Sequence, residues 1–106
     1  MPKKNPNKTP RSQVKHVLQM LFLRSRERAA AIKRDHYTCQ NCGKKQSTAK
    51  GREQKVEVHH IAGIEWERLI DLVYEMLLCP PEKLRTLCPE DHEKETLRQA
   101  MERVNK

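Results

Sequence analysis

Apolar residues recur along this chain at two different periods, and the breaks between them set the elements to expect. Val14, Val17, Leu18 and Leu21 share one face at a helical period, so 12–23 reads as an amphipathic helix with Ser12 able to cap it. Ser25 can cap a second helix over 25–35, with Glu27 in its first turn and Ala29, Ala30, Ala31 and Ile32 following. Val56 to Ile61 alternate and are rich in β-branched residues, which predicts a strand at 55–61 that Gly63 can end. Trp66, Leu69, Ile70, Val73, Met76 and Leu77 return to the helical period, so 65–78 is an expected helix, stopped by Cys79-Pro80-Pro81. Leu84 to Leu87 predict a second short strand. Pro89 suits a first helical residue, and Leu97, Ala100, Met101 and Val104 mark a last helix over 89–104. The expected architecture is therefore α+β: a single domain over 12–106, with N-terminal helices and a helix inserted between two strands. Residues 1–11, with three Pro and four Lys or Arg, read as a basic disordered arm.

Size and composition add a reason to look for a staple. The chain has 106 residues, 36% hydrophobic, 4% aromatic and 34% charged, with a mean hydropathy of −0.94. A purely apolar core is marginal at this size, and a metal site is one remedy. No apolar run approaches the roughly 18 residues of a membrane span. The opening residues lack the apolar stretch of a secretory signal. A soluble, intracellular protein with reduced thiols and no membrane partner is expected, so four cysteines point to metal before disulfides.

The net charge of +8 is unevenly placed. Residues 1–34 hold ten Lys or Arg against Glu27 alone, whereas 35–106 hold twelve basic and thirteen acidic residues. An excess confined to the first third predicts a polyanionic partner, and nucleic acid is the commonest. Arg24, Arg26, Arg28, Lys33 and Arg34 are the expected phosphate contacts. Such contacts position DNA without reading it, so weak sequence specificity follows. A solubilising basic face with no partner is the plainer alternative.

Cys39 and Cys42 enclose two residues and are followed by Gly43, a spacing that turns both sulfurs toward one ion. Cys88 and Asp91 repeat that spacing at the start of the last helix and form the expected second half of a structural zinc site. His92, Cys79 or a water compete with Asp91 for the fourth place. His59 and His60 end the first expected strand, where regular pleating would send them to opposite faces. Asp91 and His92 diverge by about 100° around a helix. One can face the zinc while the other faces a different site, which predicts two metal sites, one structural and one catalytic.

The order of these residues carries a resemblance. Arg34-Asp35-x-Tyr37-x-Cys39-x2-Cys42-Gly43 is followed by Val58-His59-His60-Ile61, then by Pro81-Glu82-Lys83-Leu84-x2-Leu87-Cys88-x2-Asp91-His92-x2-Glu95-Thr96. Together they resemble the HNH endonucleases, specifically the small zinc-knuckle type of phage and prophage, over about residues 24–96. The resemblance implies a ββα-metal fold of two antiparallel strands and a helix. It implies a DNA endonuclease leaving 5′-phosphate and 3′-hydroxyl ends, a single site of which would nick. His60 would be the general base, His59 and His92 would hold Mg2+ or Mn2+, and Cys39, Cys42 and Cys88 would bind Zn2+. Two positions depart from the family pattern: Lys83 replaces an Asn, and Asp91 replaces a Cys. Lys83 cannot accept a hydrogen bond and brings a positive charge, which can meet a phosphate.

A homodimer or a phage packaging or replication protein is the kind of protein partner such an enzyme would have. The cytoplasm of a bacterial or phage-infected cell is the expected compartment. The competing expectation is a zinc-stabilised DNA-binding or adaptor module whose catalysis has degenerated. The histidines discriminate, because a pure binder has no need of His60. A disulfide-bonded secreted toxin fits poorly with the missing signal and the C-x2-C spacing of Cys39 and Cys42.

Overall fold

The computed structural model describes residues 5–104, so Lys3 and Lys4 of the expected arm lie outside the described residues. Four helices carry it: α1 (Arg11–Leu23), α2 (Arg26–Arg34), α3 (Trp66–Met76) and α4 (Pro89–Val104). One further turn of 3-10 helix spans Pro81–Lys83.

α1 begins earlier than its polar signal suggests. Pro10 occupies the cap position, and its carbonyl accepts from the N–H groups of Gln13 and Val14 at 3.1 and 3.2 Å. Ser12 lies inside the first turn and caps nothing. Ser25, by contrast, caps α2. Its Oγ accepts from the Arg28 N–H at 3.1 Å and donates to the Phe22 carbonyl at 2.6 Å, so one hydroxyl joins both helices at their corner. α2 ends in paired bonds from His36 N–H to Lys33 and from Tyr37 N–H to Ile32, both 3.0 Å. This is a Schellman closure, which places its turning residue in the left-handed region. His36 and Tyr37 adopt φ of 53° and 54° there, a conformation usually left to glycine. α3 stops at Met76, short of the Pro80-Pro81 pair.

The α+β, ββα-metal expectation is overturned. Helix accounts for 52% of the described residues and isolated bridges for 4%, and no sheet forms among them. The bridges are Thr38 with Lys45 and Ser47 with Gln54, outside both expected strands, although Gln54 borders the first. Residues 55–60 and 84–88 belong to no strand. Alternation makes 55–61 suitable for a strand but supplies no neighbour to pair with. A two-stranded ribbon alone is marginal and needs a helix on its face. α4, the helix that would serve, packs against no other helix.

What packing exists is centred on α1. Among the described residues Val14, Ile32 and Ile70 are the buried hydrophobic side chains, one each from α1, α2 and α3. α1 and α3 run antiparallel: Lys15 lies over the Trp66 ring, Arg11 bonds both Glu67 and Asp71 at 2.8 Å, and the Tyr74 hydroxyl donates to the Thr9 carbonyl. The rest is open. The radius of gyration is 20.8 Å, against about 13 Å for a compact domain of this length. The accessible surface is 10342 Å², against about 6,200 Å² for a compact chain of this mass. No helix among the described residues is long and apolar enough to cross a membrane.

Candidate functional site

The left-handed residues at the end of α2 turn the chain into the cysteine knuckle. Cys39 N–H donates to the Lys44 carbonyl at 2.7 Å, Gly43 N–H to the Cys39 carbonyl at 2.9 Å, and Gln46 N–H to the Tyr37 carbonyl at 2.8 Å. Gly43 takes φ +80°, which a side chain would strain. The Cys42 N–H points at the Cys39 sulfur, 3.4 Å away. Donors from the Cys42 and Asn41 backbone favour the thiolate, helped by the Cys42 side chain, and Cys39 is pulled from 9.0 to about 7. A backbone that aims N–H groups at sulfur suits a metal-thiolate corner, so the pair fits half of a zinc site.

The second half is not assembled beside it. Among the described residues no three His, Cys, Asp or Glu side chains converge on one point. Cys88 is an exposed thiol immediately before α4, and Asp91 and His92 are exposed in its first turn. Their backbone is ordinary helix start, with the His92 N–H donating to the Cys88 carbonyl at 2.9 Å. Cys79 is a half-buried free thiol in the α3–α4 connection. The reason is the detached position of α4, which contains Asp91 and His92 and follows directly on Cys88.

The two adjacent histidines serve different clefts. His60 lines a groove between the end of α1, the extended segment 55–64 and the start of α3. His59 lines a second cleft together with Cys39, Cys42 and Asp35. An extended backbone sends neighbours to opposite sides whether or not it pairs, so this split follows from pleating alone. His60 is half-buried, and its ring lies 4.3 Å from that of Phe22, centroid to centroid. Its carbonyl accepts from the Gly63 N–H at 2.9 Å, closing a turn in which Gly63 has φ +77°. Lys83 ends the 3-10 turn, exposed, and lines neither groove; nor does His92.

Charge around the His60 groove is mixed. Lys55 pairs with Glu57 at 3.7 Å and Arg68 with Glu65 at 3.6 Å, while Glu27 and Arg28 also line the walls. Arg28 belongs to the basic corner above the groove. Arg24, Arg26, Arg28 and Lys33 make no ion pair among the described residues. Arg34 is committed: its Nε and Nη2 bond the Asp35 carboxylate at 3.0 and 3.1 Å, which holds that carboxyl below its ordinary range. Arg11 of the arm is likewise spent on Glu67 and Asp71. The groove walls Lys55 and Arg68 escaped the sequence reading. Their one signal is that each carries its carboxylate partner two or three residues away. No protein-family model, no curated protein and no solved structure matches this chain.

Proposed function

We propose that this chain is a divalent-metal-dependent DNA endonuclease that hydrolyses phosphodiester bonds, nicking with low sequence specificity. The observation that carries the reading is the position of His60. It stands half-buried in a groove that Arg28, one of the arginines without an ion pair among the described residues, also lines, and none of the hydrogen bonds among the described residues uses its ring nitrogens. The groove is wide and open, about 1540 Å³ in volume.

The chemistry asked of the residues is simple. Arg24, Arg26, Arg28 and Lys33 hold flanking phosphates. His60 takes a proton from a water as its oxygen bonds to phosphorus, and the bond to the 3′ oxygen breaks. That oxygen leaves as a hydroxyl once protonated from solvent, and the phosphate stays on the 5′ end. An imidazole suits this exchange because one ring nitrogen can accept the proton while the other stays protonated. Cys39 and Cys42 would hold structural zinc, with Cys88 and Asp91 completing it. A divalent ion such as Mg2+ or Mn2+ would supply charge to the phosphate. His59 and His92, its proposed ligands, line no common cleft here, so no step is drawn through it.

Plasmid nicking titrated with Mg2+, Mn2+ and EDTA tests the reading. Ion-dependent nicking by the wild type, lost in His60→Ala with DNA binding kept, is the expected result. The second reading is a zinc-stabilised DNA-binding or adaptor module. The observation favouring it is that no three metal-ligating side chains meet among the described residues. DNA binding without cutting by either protein, in any ion, selects that reading. In both cases binding weakens steeply with salt, since phosphate contacts release counterions.

A further inference from the structure

We infer that Phe22 is the positioning residue of His60: its ring holds the imidazole in place and ties it to the basic corner. This rests on the endonuclease reading and adds a residue to its site. A general base needs an open lone pair and a ring that does not wander. Side chains usually gain the second property from a hydrogen bond to one ring nitrogen. His60 has no such bond among the hydrogen bonds of the described residues; what it has is Phe22, 4.3 Å away between centroids and tilted by 47°. A tilted aromatic contact fixes a ring's orientation by packing and quadrupole alone, leaving both nitrogens free.

Both rings stand on fixed backbone. The Phe22 carbonyl accepts two bonds from Ser25, one from its hydroxyl at 2.6 Å and one from its N–H at 3.0 Å. Ser25 also caps α2, which carries Arg26, Arg28 and Lys33. On the other side, the Gly63 N–H holds the His60 carbonyl. Phe22 therefore sits where the helix that meets phosphate is joined to the helix that meets the base. A phosphate held by α2 is placed relative to His60 through this one side chain. Lys83, which stands where the family pattern has an Asn, does not line the His60 groove.

The test uses the full chain with Phe22→Leu, which keeps an apolar side chain and removes the ring, and Phe22→Tyr, which restores a ring. Histidine ring resonances are followed by NMR, with the His60 signals assigned by their loss in His60→Ala. The ring current of Phe22 predicts that Phe22→Leu moves the His60 signals, that Phe22→Tyr returns them, and that His36 and His92 stay put. Nicking of a duplex oligonucleotide should fall roughly ten- to hundredfold in kcat, with KM and DNA affinity unchanged, and recover in Phe22→Tyr.

Unmoved His60 signals overturn the contact. Moved signals with unchanged kcat overturn the positioning role. A wild type that binds DNA and never cuts removes the endonuclease reading and the catalytic role of Phe22 with it. The NMR shift still reports the ring contact in that case, so the two failures are distinct.

Discussion

The α1–α2–α3 corner and α4 are built from similar material and end in opposite states. α4 is the longest helix, with 16 residues, yet none of its residues is buried and it packs on no other helix. α2 has 9 residues and only a sparse apolar face, yet Ile32 is buried. The difference lies in what fastens each helix to its neighbour. The corner has Ser25 bridging two helices, and Arg11, Lys15 and Tyr74 bridging α1 and α3. Among the described residues α4 has only internal pairs, Arg98 with Glu95 and Glu102. Such pairs support a helix locally by a few tenths of a kcal/mol and bring it no partner. Apolar residues at helical spacing create a demand for burial without naming what satisfies it. Leu97, Met101 and Val104 stay 60, 66 and 84% exposed.

The largest contrast is expected in the core. Ile70 is 3% exposed, so Ile70→Ala should cost about 2–5 kcal/mol, enough to unfold much of so small a chain. Met101→Ala should change stability by less than about 0.5 kcal/mol. Denaturant titration followed by circular dichroism reads both. Equal losses would mean that α4 is packed in solution, and the contrast would fail.

Zinc is the agent that would join the two regions. Added zinc should protect Cys39 and Cys42 from alkylation, and Cys88 with them if the second half-site closes. Amide exchange in α4, fast in the metal-free chain because a free helix opens at almost no cost, should then slow. Cobalt substitution counts the thiolates: Cys39→Ser should remove the site and Cys88→Ser weaken it. A Cys88→Ser protein with unchanged cobalt spectrum would show that the knuckle closes without α4.

Smaller effects sharpen the picture within the corner. Ser25→Ala should cost about 1 kcal/mol by removing the α2 cap, read as a lower Tm, and should loosen Phe22 as well. Alkylation of Cys39 in metal-free protein should reach half its maximal rate near pH 7. The sign of the linked stability follows from the depressed pKa. Unfolding raises the Cys39 pKa toward 9.0, so the thiolate's contribution to the knuckle is full above that value. It is lost as pH falls through about 7. Stability that failed to rise between those limits would remove the N–H-to-sulfur bonding. The smallest change is expected of Arg11→Met. Its partners Glu67 and Asp71 are well exposed, so the loss should be slight and vanish at high salt.

Much of the helical content was legible in the chain itself. Periodicity at Val14–Leu21 and Trp66–Met76, the hydroxyl of Ser25 and the imino acid at Pro89 act within a turn or two, where local geometry decides the outcome. The cysteine turn was legible for the same reason, since two residues between thiols and a glycine after them specify a loop of their own. The strands expected at 55–61 and 84–87 do not form. Their residues have the right alternation, but a sheet exists only where two segments meet, and α3 with its flanking loops lies between these two.

The site divides along the same line. That His59 and His60 face apart followed from the backbone of an extended segment. That His60 meets Phe22, and that Arg11 is consumed by α3, depended on where α1 and α3 came to rest, whereas Arg34 is taken by its own chain neighbour Asp35. The sequence by itself determined which residues can ligate, titrate or bind phosphate, and which local turns they occupy, because those properties belong to single side chains and short spans. Only the tertiary structure decided which of them share a groove. That choice is made by contacts between distant segments, whose closure costs chain entropy that burial or a bound ion has to offset.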